Sequence, residues 1–176
     1  VKDLSFIDNM RGELDLTANK NSIVSHRTNF PLLRGRNINY YNVDLTATED
    51  EYILDSFVNG SKKNQYIYSD RIACQQVVNM GKSRRVTFAY IPANNVLGNS
   101  CNFISVKENE YGIDLYAILG LFNTSIINWF FKLTSSNNHV NNYEIDCFPV
   151  PVNSPFLKEI GLYTQQYLKT GDSGLF

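Results

Sequence analysis

At residue 114 the apolar residues change their spacing, and that change constrains the fold more than any other feature of the chain. Upstream, short segments alternate apolar and polar residues in the two-residue period of a strand. Downstream, Leu115, Ile118, Leu119 and Phe122 recur at i, i+3, i+4 and i+7, which places them on one face of a helix. Strands gathered in one part and helices in another give an α+β fold. The expected architecture is a strand-rich N-terminal part with a long β-hairpin, then a helical corner and a C-terminal helix.

In more detail, strands are expected over 12–17, where Leu14 and Leu16 share a face, and over 22–25 and 38–43. A helix is expected over 49–58, closed by Gly60. Residues 66–78 and 84–91 are β-rich and flank a five-residue, Gly-containing turn at 79–83, which makes them the long hairpin. Within it Val86, Phe88 and Tyr90 point one way, and Arg85, Thr87 and Ala89 the other. Ile72, Cys74 and Val78 share a face of the first strand, with Arg71, Ala73 and Gln75 on its reverse. One more strand is expected over 102–107. Asp114 caps the first helix, residues 123–125 break the stripe, and Ile126, Ile127, Trp129 and Phe130 resume it, so two short helices meet at a tight corner. A polar loop (135–142) and an extended P-x-P segment (148–152) precede a last helix over 155–170, with Ser154 as its N-cap, Pro155 in its first turn and Gly171 past its end. Leu115, Ile118, Leu119, Phe122, Trp129 and Phe130 are assigned to the core, and Tyr40 and Tyr41 to packing against the sheet.

Composition removes several classes of function. A chain of 176 residues, 43% hydrophobic, fits one domain with a continuous core. Its most apolar stretch, 111–133, is interrupted by Asp114, Gly120, Asn123, Thr124, Ser125 and Asn128, so it is expected to form buried helices rather than a membrane span. The N-terminus shows no secretory leader, and Cys74, Cys101 and Cys147 are widely spaced and odd in number, which favours a reduced, cytoplasmic setting. A start at Val1 rather than Met suggests a piece of a longer polypeptide. There is no Gly-rich phosphate loop, G-x-S-x-G elbow or H-E-x-x-H motif. His26 and His139 lack neighbouring metal ligands, and the acidic pairs Glu49/Glu51 and Glu108/Glu110 sit beside turns as solvated faces. None of the seven glutamates has a lysine two residues on, as a common metal-dependent nuclease motif requires. A binding module remains. The net charge is only -1, yet Lys62, Lys63, Arg71, Lys82, Arg84 and Arg85 concentrate positive charge between residues 62 and 85 against Asp70 alone.

Four stretches then occur in order: PLLRGRNINYY (31–41), YSDRIACQQV (68–77), NSCNFISV (99–106) before YGIDLYAILGLFNTSIINWFFK (111–132), and FPVPV (148–152) before the terminal helix. Together they resemble the TaqI-like C-terminal specificity domain, the target recognition domain of type II restriction and modification proteins that methylate adenine in DNA. The helical block is the most specific part, although Asn123-Thr124-Ser125 stands where that family more often has Asn-Ser directly. The resemblance implies that the whole chain is a single DNA target recognition domain of a bacterial restriction-modification protein, with no catalytic residues, metal or cofactor of its own. Catalysis would belong to an N6-adenine methyltransferase or endonuclease domain elsewhere on the polypeptide, where S-adenosylmethionine and Mg²⁺ would be used. The partners implied are double-stranded DNA and those catalytic domains.

Under that resemblance the residues able to meet DNA can be named. Arg34 and Arg36 flank Gly35, so in an extended segment they point the same way, toward phosphate or guanine; the alternative is an ion pair with the acidic segment 44–55. A two-stranded ribbon fits the major groove, and Arg71, Gln75, Arg84 and Arg85 supply fork donors and an amide to read bases. Lys62, Lys63 and Lys82 suit phosphates as point charges, and Asn137, Asn138 and His139 offer a further contact from the polar loop. Two other readings stand beside this one. A fragment completing a methyltransferase or nuclease site would need a carboxylate cluster or cofactor pocket; a protein-interaction or carbohydrate-binding module with an incidental basic hairpin would bind DNA with little salt dependence.

Overall fold

The computed structural model describes residues 1–47 and 50–171. It is an α+β fold built on one four-stranded antiparallel sheet. In chain order its strands and helices are β1 (Ile7–Arg11), β2 (Ile23–Val24), β3 (Leu32–Leu33), β4 (Tyr52–Ile53), α1 (Asp55–Gly60), α2 (Asn64–Ile67), β5 (Arg71–Gln75), β6 (Phe88–Ile91), β7 (Val96–Leu97), β8 (Cys101–Val106), α3 (Leu115–Phe122), α4 (Ser125–Thr134), α5 (Asn142–Asp146) and α6 (Pro155–Thr170). The main sheet has the order β1-β8-β5-β6, and β2 with β4 and β3 with β7 form two small pairs.

Both faces of the sheet are covered, which is why its inner strands read as nearly continuous apolar runs. Ile72, Cys74, Phe88 and Ile104 face a helical layer containing Ile118, Leu119, Phe122, Ile127 and Phe131. Ala73, Ala89, Ile91, Cys101 and Phe103 face the opposite way, onto Leu33, Ile38 and Leu97. The period-two reading of 71–75 and 86–91 therefore holds. A third cluster, including Leu14, Phe30, Leu32, Ile53, Val58, Ile67 and Val96, holds the small strand pairs and α1 and α2 together.

The helical half follows its local signals closely. Asp114 accepts the Ala117 N–H at 2.8 Å and starts α3. Thr124 accepts the Ile127 N–H at 3.4 Å and starts α4, so the corner forms with the extra threonine as the second cap. Ser154 stands at the N-cap of α6, without a side-chain cap bond, and Gly171 ends it at φ 69°.

Several expectations fail, each for a tertiary reason. The segment 12–17 contributes a single bridge, from Leu14 to Gly98, and the strand lies earlier at β1. Segment 38–43 folds back on itself through the bridge Ile38 to Val43. In place of a helix over 49–58 the chain forms β4 and then α1; Thr48 and Glu49 lie outside the described residues. The polar loop ends at α5, whose capping box pairs Asn141 with Glu144. Trp129, expected in the core, is 59% exposed on the far side of α4 from Ile127 and Phe131, with Ile126 and Leu133 beside it along the helix.

The long hairpin is the main correction. β5 and β6 pair only from Arg71↔Ile91 to Cys74↔Phe88. Beyond that the strands part, because each finds another partner. Asn128 Oδ1 accepts the Arg85 and Val86 N–H groups at 2.7 and 3.3 Å, and the Asn123 amide exchanges two 2.9 Å hydrogen bonds with the Phe88 backbone. The outgoing arm instead bonds to the loop before α5: Val78 N–H to Asn138 O at 2.8 Å, and Val140 N–H to Gln76 O at 2.7 Å. No free ribbon projects from residues 76–87.

Candidate nucleic-acid interface

The arginines that looked most suited to DNA turn out to build the fold. Arg71 is fully buried: its guanidinium lies 3.0 Å from Glu13 Oε1, donates to the carbonyls of Tyr66, Ser69 and Asn95, and stands over the Phe103 ring. Burial pushes the Glu13 carboxyl up and the Arg71 guanidinium down, and each is pulled back by the other's charge. Arg71 therefore has no surface left for a base or a phosphate. Arg85, also buried, donates to Asn137 O and stacks on Phe131. Arg84 donates to Asn123 O at 2.8 Å and lies 4.7 Å from the centre of the Tyr40 ring. Lys63 donates to Arg11 O at 2.7 Å.

Arg34 and Arg36 part company. Residues Gly35–Asn37 form a single 3-10 turn rather than an extended segment, so the two side chains diverge. Arg34 makes a two-pronged contact with Glu51, at 2.6 and 2.7 Å, the ion pair with the acidic segment that its spacing allowed. Arg36 is exposed and, among the described residues, its side chain has no hydrogen-bond or ion-pair partner.

What remains exposed is assembled at one end of the main sheet. Arg36 lines a recess of about 260 Å³ together with Leu16, Arg34, Gly35, Gln75, Val77 and Ser100. The close fit there depends on Gly35, whose N–H reaches Ser100 Oγ at 2.9 Å; a Cβ on it would lie 2.7 Å from Ser100 O. The loop of Asn137, Asn138 and His139 neighbours the recess, because Val77, which lines it, stands opposite His139 in an antiparallel bridge. The turn carrying Lys82 adjoins the same loop: Asn138 Oδ1 accepts the Met80 N–H at 3.1 Å and Asn79 O accepts the Lys82 N–H at 3.1 Å. Lys62 is exposed next to Lys63, which touches the end of β1.

Two further polar residues lie at this end of the sheet and carry no sequence signal. Arg11, at the end of β1, donates to Asn99 O at 2.8 Å and to Gln76 Oε1 at 3.2 Å. Arg11 and Gln76 meet only because β1 and β5 flank β8. Asp15 lies near them and interacts with Arg11; its carboxylate is held below the usual range by the Ala18 and Thr17 N–H groups.

This end of the sheet carries a half-buried amide, a guanidinium without a partner among the described residues, a lysine on a turn and an amide-rich loop. Such groups can hold phosphates and read base edges. Among the described residues no group of three or more His, Cys, Asp or Glu side chains could hold a metal ion, and no helix is long and apolar enough to cross a membrane. The family model for the TaqI-like C-terminal specificity domain matches residues 30–150. No curated protein matches the chain.

Proposed function

The chain belongs to the TaqI-like C-terminal specificity domain family, and from that premise we propose that it recognises a specific duplex DNA sequence on behalf of a catalytic domain. Members of the family serve target recognition in restriction-modification systems. The catalytic partner is proposed to be an N6-adenine methyltransferase or endonuclease domain of the same polypeptide. S-adenosylmethionine, and any Mg²⁺, would act there and not in this domain.

One observation carries the reading: three segments distant in sequence meet at this end of the sheet, where Arg36 and Gln75 line one recess, Val77 bridges to His139, and Asn138 Oδ1 accepts the Met80 N–H of the turn that carries Lys82. Of the residues first considered, Arg36, Gln75, Lys62, Lys82, Asn137, Asn138 and His139 are retained as contacts, and Arg11 and Gln76 join them. Arg34, Lys63, Arg71, Arg84 and Arg85 hold these elements in place. Duplex binding, followed by fluorescence anisotropy between 50 and 200 mM salt, should weaken steeply, because each neutralised phosphate releases condensed counterions.

A protein-interaction module is the second reading, favoured by the exposed stripe of Ile126, Trp129 and Leu133 on α4. It requires a flat salt response or no duplex binding.

A further inference from the structure

We propose that the recess between Gly35 and the end of β5 reads an A·T base pair in the major groove, with Gln75 meeting adenine and Val77 and Leu16 meeting the thymine methyl. The inference rests on the duplex-recognition reading above and names the base pair that the face selects.

Gln75 differs from the other polar groups of this surface. Gln76, Asn137 and Asn138 already spend side-chain oxygens on Arg11, His139 and Met80. Among the described residues the Gln75 amide has no partner, although the residue is half-buried. Its stem lies where Gly35 has no side chain; a Cβ there would come within 3.0 Å of Gln75 Cγ. The stem is therefore held while the head stays unpaired, so little rotamer freedom is lost on binding. A primary amide offers a donor and an acceptor side by side, which matches adenine N7 and N6–H. Guanine presents two acceptors at the same edge and would leave the amide oxygen facing O6.

The floor beside the amide is apolar. Val77 is 48% exposed and lines the recess with Leu16. In the major groove only thymine carries a methyl group, and an apolar floor accepts it while leaving the cytosine amino group without a hydrogen-bond partner. Arg36 lines the same recess, its fork without a hydrogen-bond or ion-pair partner among the described residues and so available to a flanking phosphate.

The test uses the whole 176-residue chain. Duplexes are enriched from a randomised library, and the preferred duplex is then remade with deoxyuridine in place of each thymine in turn. The parent protein should enrich at least one A·T position and lose about four-fold in affinity when that thymine loses its methyl. Val77→Thr, similar in shape, should bind both duplexes alike. Gln75→Ala should lose on the order of 10- to 100-fold on the enriched duplex and little on a scrambled one. Gln75→Glu, which keeps the stem and loses the donor, should move the preference at that position from adenine toward cytosine, since a carboxylate accepts from the cytosine N4 amino group. Enrichment of a defined sequence with no effect of deoxyuridine, Gln75→Ala or Gln75→Glu would overturn the inference and leave duplex recognition standing. Failure to enrich any duplex would overturn both.

Discussion

Removing the Asn123 amide should cost more stability than any substitution at the exposed face. Asn123 ends α3, is 1% exposed, and exchanges two 2.9 Å hydrogen bonds with Phe88 on the edge strand β6. Its own carbonyl accepts from Tyr40 Oη at 3.1 Å and Arg84 at 2.8 Å, so one residue ties the helical corner to the sheet and to the loop at Tyr40. In Asn123→Ala the Phe88 carbonyl keeps the Tyr41 N–H at 3.0 Å, but the Phe88 N–H is left buried without a partner. An orphaned donor costs about 1–3 kcal/mol and the second lost bond about 1 kcal/mol, giving roughly 2–4 kcal/mol in all. Asn123→Asp refines the test. Its carboxylate would still accept from Phe88 N–H but would face the Phe88 carbonyl, so burial and that oxygen raise the folded pKa above the unfolded value of about 3.9. A raised folded pKa means stability present below the unfolded value and lost as pH rises through the folded one. The deficit of Asn123→Asp relative to the parent should therefore shrink on acidification, whereas that of Asn123→Ala should stay nearly constant. Urea unfolding at neutral and mildly acidic pH, with the slope m checked for constancy, measures both. An Asn123→Ala protein within about 0.5 kcal/mol of the parent would refute the reasoning.

Three other substitutions probe different parts of the account. Arg71→Met strands the buried Glu13 carboxylate and should cost about 3–5 kcal/mol in the same unfolding assay, while leaving any duplex preference of the surviving folded protein unchanged. A loss of cognate discrimination without loss of stability would instead return Arg71 to the DNA contacts. Gly120→Ala places a Cβ against Thr164 Oγ1 and Ile160 Cγ2 where α3 crosses α6, and a lowered thermal midpoint is expected from about 1–3 kcal/mol of overpacking. The Asp15 carboxylate, held below its ordinary value of 3.8 by the Ala18 and Thr17 N–H groups, contributes stability above that value that is lost as pH falls through the lowered one. Asp15→Asn should flatten that acid limb, as read from unfolding midpoints across pH.

Much of the helical half was legible because its signals are local. Asp114, Pro155 and Gly171 act within one turn of their own positions, and the apolar stripe of α3 follows from spacing alone. The α4 stripe misled at Trp129, since continuity of apolar residues does not say which side of a second helix the sheet will cover. In the strand-rich half the alternation of 71–75 and 86–91 gave the correct faces, but not where pairing ends. That limit is set by Asn123 and Asn128, some 35 to 45 residues away, which capture backbone groups that a continued ribbon would use. The same physics explains the site. Charge density pointed to Arg71, Arg84 and Arg85, yet a buried partner such as Glu13, or a carbonyl such as Asn137 O, is invisible in a local window. Arg34 and Arg36 sit two residues apart and still differ, because only Arg34 meets Glu51. Arg11 and Gln76 became neighbours only through the strand order.

The claim that the exposed face around Arg36, Gln75 and Lys82 is the DNA contact is tested most directly by salt-dependent duplex binding of Lys82→Ala beside a control. Lys158, near Gly112 and away from the recess, supplies that control. Lys82→Ala should lower the slope of log affinity against log salt by about one and weaken binding to all duplexes alike, and Lys158→Ala should leave the slope unchanged. Equal slopes for the parent and Lys82→Ala, with a reduced slope for Lys158→Ala, would place the contact on another face and contradict the account.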